Sequence, residues 1–196
     1  VQDLAVVSLP YPLFVKPIAE GSSKGVDDSC RVESWDQLQQ KTVELLTRFS
    51  QPVLVESFLA GKEFTVVLFG RGEKASVKGM LEIELPQDGD RWSYSFRNKE
   101  QSLIRFCAVN AAIADRVSQV ALSAWRALGG CDAGRIDIRL DSNGAPFFIE
   151  ANPLSELLPD AEFPLICEKA GMSYRDMIGE IVEFAMERNG CEPKSV

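Results

Sequence analysis

The feature that most constrains this chain is a pair of short apolar-polar segments joined by a tight turn: Arg135-Ile136-Asp137-Ile138-Arg139-Leu140, then Asp141-Ser142-Asn143-Gly144, then residues 146–152 ending Ile149-Glu150-Ala151-Asn152. An Asn-Gly pair favours a two-residue type I′ hairpin turn, because both central residues need positive φ. With Asn143 and Gly144 at the tip, Ser142 faces Ala145, and counting outward sets Asp137 opposite Glu150 and Arg135 opposite Asn152. Strand alternation then sends Arg135, Asp137, Glu150 and Asn152 to one face and Ile136, Ile138 and Ile149 to the other. Directly opposed carboxylates lie roughly 5 Å apart at Cβ and repel unless a cation sits between them. Two carboxylates and an amide oxygen are hard ligands of the kind Mg²⁺ prefers, so the face reads as a magnesium site. Ordinary solvated surface charge is the competing reading. The apolar opposite face and the adjacent Phe147 and Phe148 argue instead for a sheet covered on both sides, with the acids in a cleft.

Composition narrows the chemistry. Histidine is absent from all 196 residues, which removes Ser-His and Cys-His nucleophiles and every His-ligated metal. The five cysteines, Cys30, Cys107, Cys131, Cys167 and Cys191, are odd in number and include no CxxC pair. That pattern points to a reducing, cytoplasmic compartment and away from zinc. A net charge of −8 argues against nucleic acid or an anionic membrane as partner, yet is compatible with a local basic pocket for phosphate. No stretch approaches the roughly 20 apolar residues that span a bilayer. No secretory leader is evident, and the first residue is Val1 rather than Met, which leaves an upstream part open.

Along the chain, residues 12–17 read as a short buried strand and 19–26 as a flexible loop. Residues 34–49 read as a helix capped by Ser34, with Leu38, Val43, Leu45, Leu46 and Phe49 as its apolar stripe. Strands are expected at 53–56, 63–69 and 77–85, a mobile polar loop at 86–105, and a helix at 111–128 stopped by Gly129-Gly130. Residues 153–164 read as a Pro-rich segment, followed by a last helix that Ser173 and Asp176 cap and that ends near Gly190. Lys16 together with Gly21-Ser22-Ser23-Lys24-Gly25 offers convergent N–H groups, hydroxyls and charge to a polyphosphate, although the Walker A spacing is missing and such loops are mostly plain turns. Glu56 and Glu63 flank a connector, Ser57 to Lys62, whose free backbone groups suit an adenine edge and whose acids suit ribose hydroxyls. By themselves these acids read as solvated charge on edge strands. Arg97, Lys99 and Arg105, in the polar loop, read as solvated charge too.

Taken in order, Phe14-Val15-Lys16-Pro17 with Glu20-Gly21-Ser22-Ser23, Val53-Leu54-Val55-Glu56 with Gly61-Lys62-Glu63-Phe64-Thr65-Val66, Gly134-Arg135-Ile136-Asp137, and Ile149-Glu150-Ala151-Asn152 resemble the ATP-grasp ligases of the D-alanine–D-alanine ligase group. The resemblance runs over almost the whole chain. It implies an α+β, ATP-grasp fold with two α+β lobes, residues 1–55 and 56–196, holding the nucleotide between antiparallel sheets, with a hinge near 53–59. It implies ATP and two Mg²⁺ ions, or Mn²⁺ in their place. The phosphates would be held by Lys16, Glu20, Ser22, Ser23 and Arg97, the adenine by Glu56 and the backbone of Ser57, Phe58 and Leu59, and the ribose by Glu63. Asp137, Glu150 and Asn152 match the metal ligands, and Arg135, with Ser23, the catalytic positions. The implied reaction moves the γ-phosphoryl group of ATP onto a carboxylate, and an amine then attacks the acyl phosphate. Small-molecule substrates are implied, with no nucleic acid or membrane, and a homodimer is compatible.

Three departures bear on the substrate. The family's N-terminal domain has no counterpart in this sequence. Arg97-Asn98 stands where the family has lysine and then an aromatic residue. After Asn152 the chain reads Pro153-Leu154-Ser155-Glu156-Leu157-Leu158 instead of a small-residue, Pro-Gly run, and Glu156 would repel an acceptor's carboxylate. These departures favour an acceptor different from D-alanine. The alternative they motivate is a nucleotide-binding module with little or no ligase activity.

Overall fold

A computed structural model of the protein describes residues 7–86, 88–95, 97–98, 101 and 105–191. It divides into two compact units, the first from Val1–Ala60 and Glu84–Arg105, the second from Gly61–Ile83 and Phe106–Val196. The expected lobes meet at one point in the sequence, between residues 55 and 56, whereas the first of these units draws on two segments. The cause is visible in side-chain contacts: Trp92 packs edge-on against Phe58, the Arg31 guanidinium stacks 4.7 Å from the Trp92 ring centroid, and the Trp92 N–H donates to Asp28.

The first unit is built on β1 (Leu13–Pro17), flanked by β2 (Arg31–Val32) and β3 (Val53–Ser57) in antiparallel pairings. Leu13 and Val15 alternate onto one face of β1 and meet Val32, Leu38 and Leu45. The last two come from α1 (Trp35–Phe49), whose first turn is capped by the Ser34 hydroxyl accepting the Gln37 N–H. The buried row of α1 is Leu38, Lys41, Thr42 and Leu45, so Val43, expected in the stripe, is exposed instead. Lys41 takes an inner position because its ammonium is met by Asp27, Ser29 and Glu44. The stretch expected as a mobile polar loop is a hydrogen-bonded knot in its described part. Asn98 accepts the Asp90 N–H and donates to the Asp90 and Ser93 carbonyls, while Ser95 donates to the Asp90 carboxylate. One asparagine bridging three backbone groups is how so polar a segment buries Asp90, Ser93, Ser95 and Asn98. Lys99 lies outside the described residues.

The second unit holds a five-stranded sheet, in spatial order β6 (Arg105–Cys107), β5 (Ser76–Glu84), β4 (Glu63–Phe69), β7 (Ala133–Leu140) and β8 (Pro146–Asn152). β4 is buried along its whole length because both its faces are covered. Phe64, Val66 and Leu68 share one face with Ile136, Ile138 and Leu140, and pack on Val117, Ala121 and Trp125 of α2 (Ala111–Ala127). Val67, Phe69 and Leu81 on the other face pack on Phe163, Ile166 and Cys167 of α3 (Glu162–Lys169) and Met177 of α4 (Tyr174–Arg188). α3 begins in the last three residues of the expected Pro-rich segment and runs on through Lys169, where no helix was expected. Pro164 is its third residue, where a missing N–H removes no intrahelical bond. In α2 the weight falls on Trp125, 1% exposed, rather than on Leu128, 60% exposed.

The hairpin reaches the expected pairing by a different route. Asn143 does not adopt positive φ, whereas Gly144 does at +79°. The Asp141 carbonyl accepts the Gly144 N–H and the Asp141 N–H donates to Ala145, so three residues, not two, form the loop. Asp141 Oδ1 also accepts the N–H groups of Asn143 and Ala145 at 2.9 and 2.7 Å, which favours this loop over type I′. The pairing near the turn is thereby shifted by one residue, Ile138 facing Phe148, and an irregularity between Asp137 and Ile138 shifts it back. Asp137 thus faces Glu150, and Arg135 faces Asn152. Asp141→Ala is expected to destabilise the second unit by about 1–2 kcal/mol in urea unfolding, and Asn143→Ala by less than about 0.5 kcal/mol. A type I′ turn would give a larger loss at Asn143.

Candidate functional site

Alternation along β7 puts Arg135, Asp137 and Arg139 on one face, and β4 adds Glu63 and Thr65 opposite Arg139 and Asp137. This face is the one α3 and α4 cover only in part. Asp137 is 5% exposed and sits at its centre. Arg135 donates from Nε and Nη2 to the two oxygens of Asp137 at 3.0 and 3.1 Å, and from Nη1 to Glu162 at 2.5 Å. Asn152 Nδ2 lies 3.2 Å from both Asp137 Oδ2 and Glu150 Oε1, and Arg139 pairs with Glu63 at 3.2 Å. The sequence-expected cluster of Arg135, Asp137, Glu150 and Asn152 is therefore assembled. The expected cover is partial: Glu150 is exposed, and Phe147 and Phe148 are 46% and 41% exposed.

The electrostatics of this face favour a cation. Burial pushes the Asp137 pKa up and the neighbouring Glu150 adds to that, against the pull of Arg135 and Thr65 toward the charged form. Burial and then Glu63 push Glu162 up to about 7. The Arg139 guanidinium is pulled down by burial and held up by Glu63. Among the described residues no three His, Cys, Asp or Glu side chains gather at metal-holding spacing. The candidate donors are instead two carboxylates and an amide. A half-turn of the Asn152 amide presents Oδ1 where Nδ2 now bridges Asp137 and Glu150, giving three hard oxygens around one point. That donor set fits a magnesium-type ion.

The first unit carries the other expected residues. Lys16 Nζ pairs with Glu56 Oε2 at 2.7 Å across β1 and β3, so the expected phosphate lysine and adenine acid hold each other. Ser22 and Ser23 both adopt positive φ, 54° and 58°, and the Lys24 N–H closes the turn on the Gly21 carbonyl. Two consecutive non-glycine residues in this region store strain of order 1 kcal/mol each or more, as phosphate-cradling turns do. Glu20 accepts from the Gln51 amide. In the connector the Phe58 N–H is spent on the Pro12 carbonyl, so the connector is less open than expected. Ser57 is exposed, Leu59 is half-buried, and Arg97 is exposed beside buried Asn98. Glu63 stands in the second unit with Arg139.

Sequence reasoning missed Glu162 and Arg139. Arg139 was legible, since it shares the parity of Arg135 and Asp137. Glu162 was not, because it rides on the helix that Pro164 concealed.

Residues 2–183 match the family model described as D-ala D-ala ligase C-terminus. The D-alanine–D-alanine ligase of Bordetella petrii is 32% identical over 179 residues, which cover 90% of this chain and 53% of that protein. The one from Bacillus velezensis is 31% identical over 182 residues, 92% of this chain and 50% of that protein. The chain thus spans about half the length of the curated relatives it matches. Among solved structures, the VanG D-Ala:D-Ser ligase from Enterococcus faecalis superposes with a TM-score of 0.73 at 22% identity, covering 93% of this chain and 51% of that one. D-alanine–D-alanine ligase from Bacillus anthracis complexed with ATP does so at 0.67 and 22%, covering 92% and 54%. No helix among the described residues is long and apolar enough to cross a membrane.

Proposed function

The chain belongs to the D-alanine–D-alanine ligase C-terminal family and has the α+β ATP-grasp fold, and on that premise we propose that it serves the ATP-dependent joining of a carboxylate to an amine through an acyl phosphate. The observation that carries this reading is the convergence of Arg135, Asp137, Glu150 and Asn152 on one face of β7 and β8.

In this reading Asp137, Glu150 and Asn152 hold Mg²⁺, two ions by family resemblance, with Mn²⁺ able to replace them. Bound there, the metal neutralises phosphate charge as it develops. Lys16 and Arg97 add cationic charge to the phosphate oxygens, with Lys16 exchanging its Glu56 partner for the nucleotide. The strained Ser22-Ser23 turn supplies N–H and hydroxyl donors, with Ser23 in the catalytic role that the resemblance gives it, and Glu20 supports the loop. Glu56 and the backbone of Ser57, Phe58 and Leu59 bind adenine, and Glu63 binds ribose. A carboxylate oxygen attacks the γ-phosphorus and the bond to the bridging oxygen of ADP breaks. The amine nitrogen next attacks the acyl carbon, phosphate departs with the C–O electron pair, and the nitrogen loses its proton. Arg135 donates to the oxyanion of the tetrahedral species between these events. Positioning and charge neutralisation dominate such chemistry, so the lack of histidine is no handicap.

The relatives' names make an amino acid the first carboxylate to try. ADP release that requires Mg²⁺ and an amino acid together is the expected result. ATP binding without ADP release across a broad panel of amino acids and amines would contradict ligation and favour a nucleotide-binding module. Lys16→Ala is expected to weaken binding of a fluorescent ATP analogue about tenfold, the worth of one charge-assisted contact.

A further inference from the structure

Ser22 and Ser23 hold positive φ side by side, and residues kept in that region persist only where their surroundings fix them. Such fixing groups stand at both ends of the turn. At the exit, the Val26 N–H donates to the Ser23 carbonyl at 3.1 Å. A Cβ on Gly25 would lie 2.6 Å from the Phe49 ring, so the ring packs directly on the Gly25 backbone. The Gly25 carbonyl accepts from the Cys30 thiol at 3.3 Å, and burial pushes that thiol up to about 11, so it keeps the proton it donates.

At the entry the fixing group is a side chain. β1 and β3 pair as far as Pro17 and Val53, and the Ile18 N–H then donates to the Pro52 carbonyl at 3.2 Å. Beyond that point Gln51 Oε1 accepts the Ala19 N–H at 2.6 Å, and Gln51 Nε2 donates to Glu20 Oε1 at 2.8 Å. One amide thus spans the two residues directly before Gly21. Chemistry sets its orientation: a backbone N–H needs an acceptor and a carboxylate needs a donor, so reversing the amide breaks both contacts. Gln51 is itself held, because Ser50 ends α1 in the left-handed conformation and Pro52 confines the residue before it to extended backbone.

We propose that Gln51 is a positioning residue, whose amide fixes Ala19 and Glu20 so that the Ser22-Ser23 turn is set for a polyphosphate before the nucleotide arrives. The assignment rests on the ligase reading above and adds to it a residue outside the expected phosphate set.

Ligands with and without phosphates separate positioning from general stability. A fluorescent ATP analogue is bound to the whole chain in excess Mg²⁺, and adenosine and inorganic tripolyphosphate are titrated as its competitors. Gln51→Ala is expected to weaken the analogue and tripolyphosphate about tenfold each, the worth of the lost contacts, and adenosine less than about twofold. Gln51→Glu keeps an acceptor for Ala19 but sets a second carboxylate against Glu20, and is expected to lose at least as much. It decides should Gln51→Ala fail to fold. Equal weakening of all three ligands, or an unweakened analogue, overturns the role of Gln51 and leaves the ligase reading standing. So does tripolyphosphate that fails to compete on the wild type, since a turn set in advance must receive it. Where adenosine competes too weakly to rank, tripolyphosphate decides: its loss alongside the analogue supports the role, and its retention overturns it. Failure of the wild type to bind the analogue overturns both.

Discussion

Glu150→Gln is expected to reduce Mg²⁺-dependent ADP release at least about 100-fold while leaving thermal stability unchanged, because the substitution removes a metal-binding charge from an exposed side chain. Asp137→Asn is expected to reduce turnover as strongly but to destabilise as well. Its carboxylate is the bidentate partner of a mostly buried guanidinium, and breaking such a pair costs about 3–5 kcal/mol. The two variants together separate metal binding from structure. A stable Glu150→Gln protein with wild-type turnover would remove the metal from this face. Equal melting temperatures for Asp137→Asn and wild type would show that the Arg135 pairing contributes nothing to the fold.

Trp125→Ala is expected to lower unfolding free energy by about 3–5 kcal/mol, the range for deleting a fully buried aromatic side chain. The indole fills the interior beneath β7 and its N–H donates to the Gly70 carbonyl at 2.9 Å. Gly130 and Gly134 make room for it: a Cβ at Gly134 would lie 2.4 Å from the ring, and at Gly130 2.1 Å. Gly134 directly precedes Arg135, so the tryptophan seats the strand that carries the site. Gly134→Val is expected to destabilise by a similar amount, by overpacking rather than by a cavity. Urea unfolding followed by far-ultraviolet circular dichroism measures both, and a loss under about 1 kcal/mol for Trp125→Ala would show that the ring is not the anchor of this core.

The site face was legible because a strand's period of two ties four chemistry-bearing residues to one surface whatever the turn does. The register was reached through two compensating irregularities, the three-residue loop that Asp141 organises and the shift beyond Asp137, and neither leaves a pattern in residue types. α1, α2 and α4 were legible from caps and spacing, but their inner positions were not all apolar. Lys41 is inside because Asp27, Ser29 and Glu44 meet it, a tertiary fact invisible to hydropathy. Residues 86–105 read as a loop because their composition is polar, and what buries part of them is the set of bonds made by Asn98. α3 was lost to Pro164, and Glu162 with it.

The central claim is that Asp137, Glu150 and Asn152 hold a divalent ion with the nucleotide. Crystals grown with Mn²⁺ and a non-hydrolysable ATP analogue, measured at the manganese absorption edge, test it most directly. An anomalous peak bound by oxygens of these three side chains and of the analogue's phosphates is the expected result. Bound analogue with no peak among the three, or with Arg135 and Asp137 unchanged around an empty centre and manganese elsewhere, would contradict it.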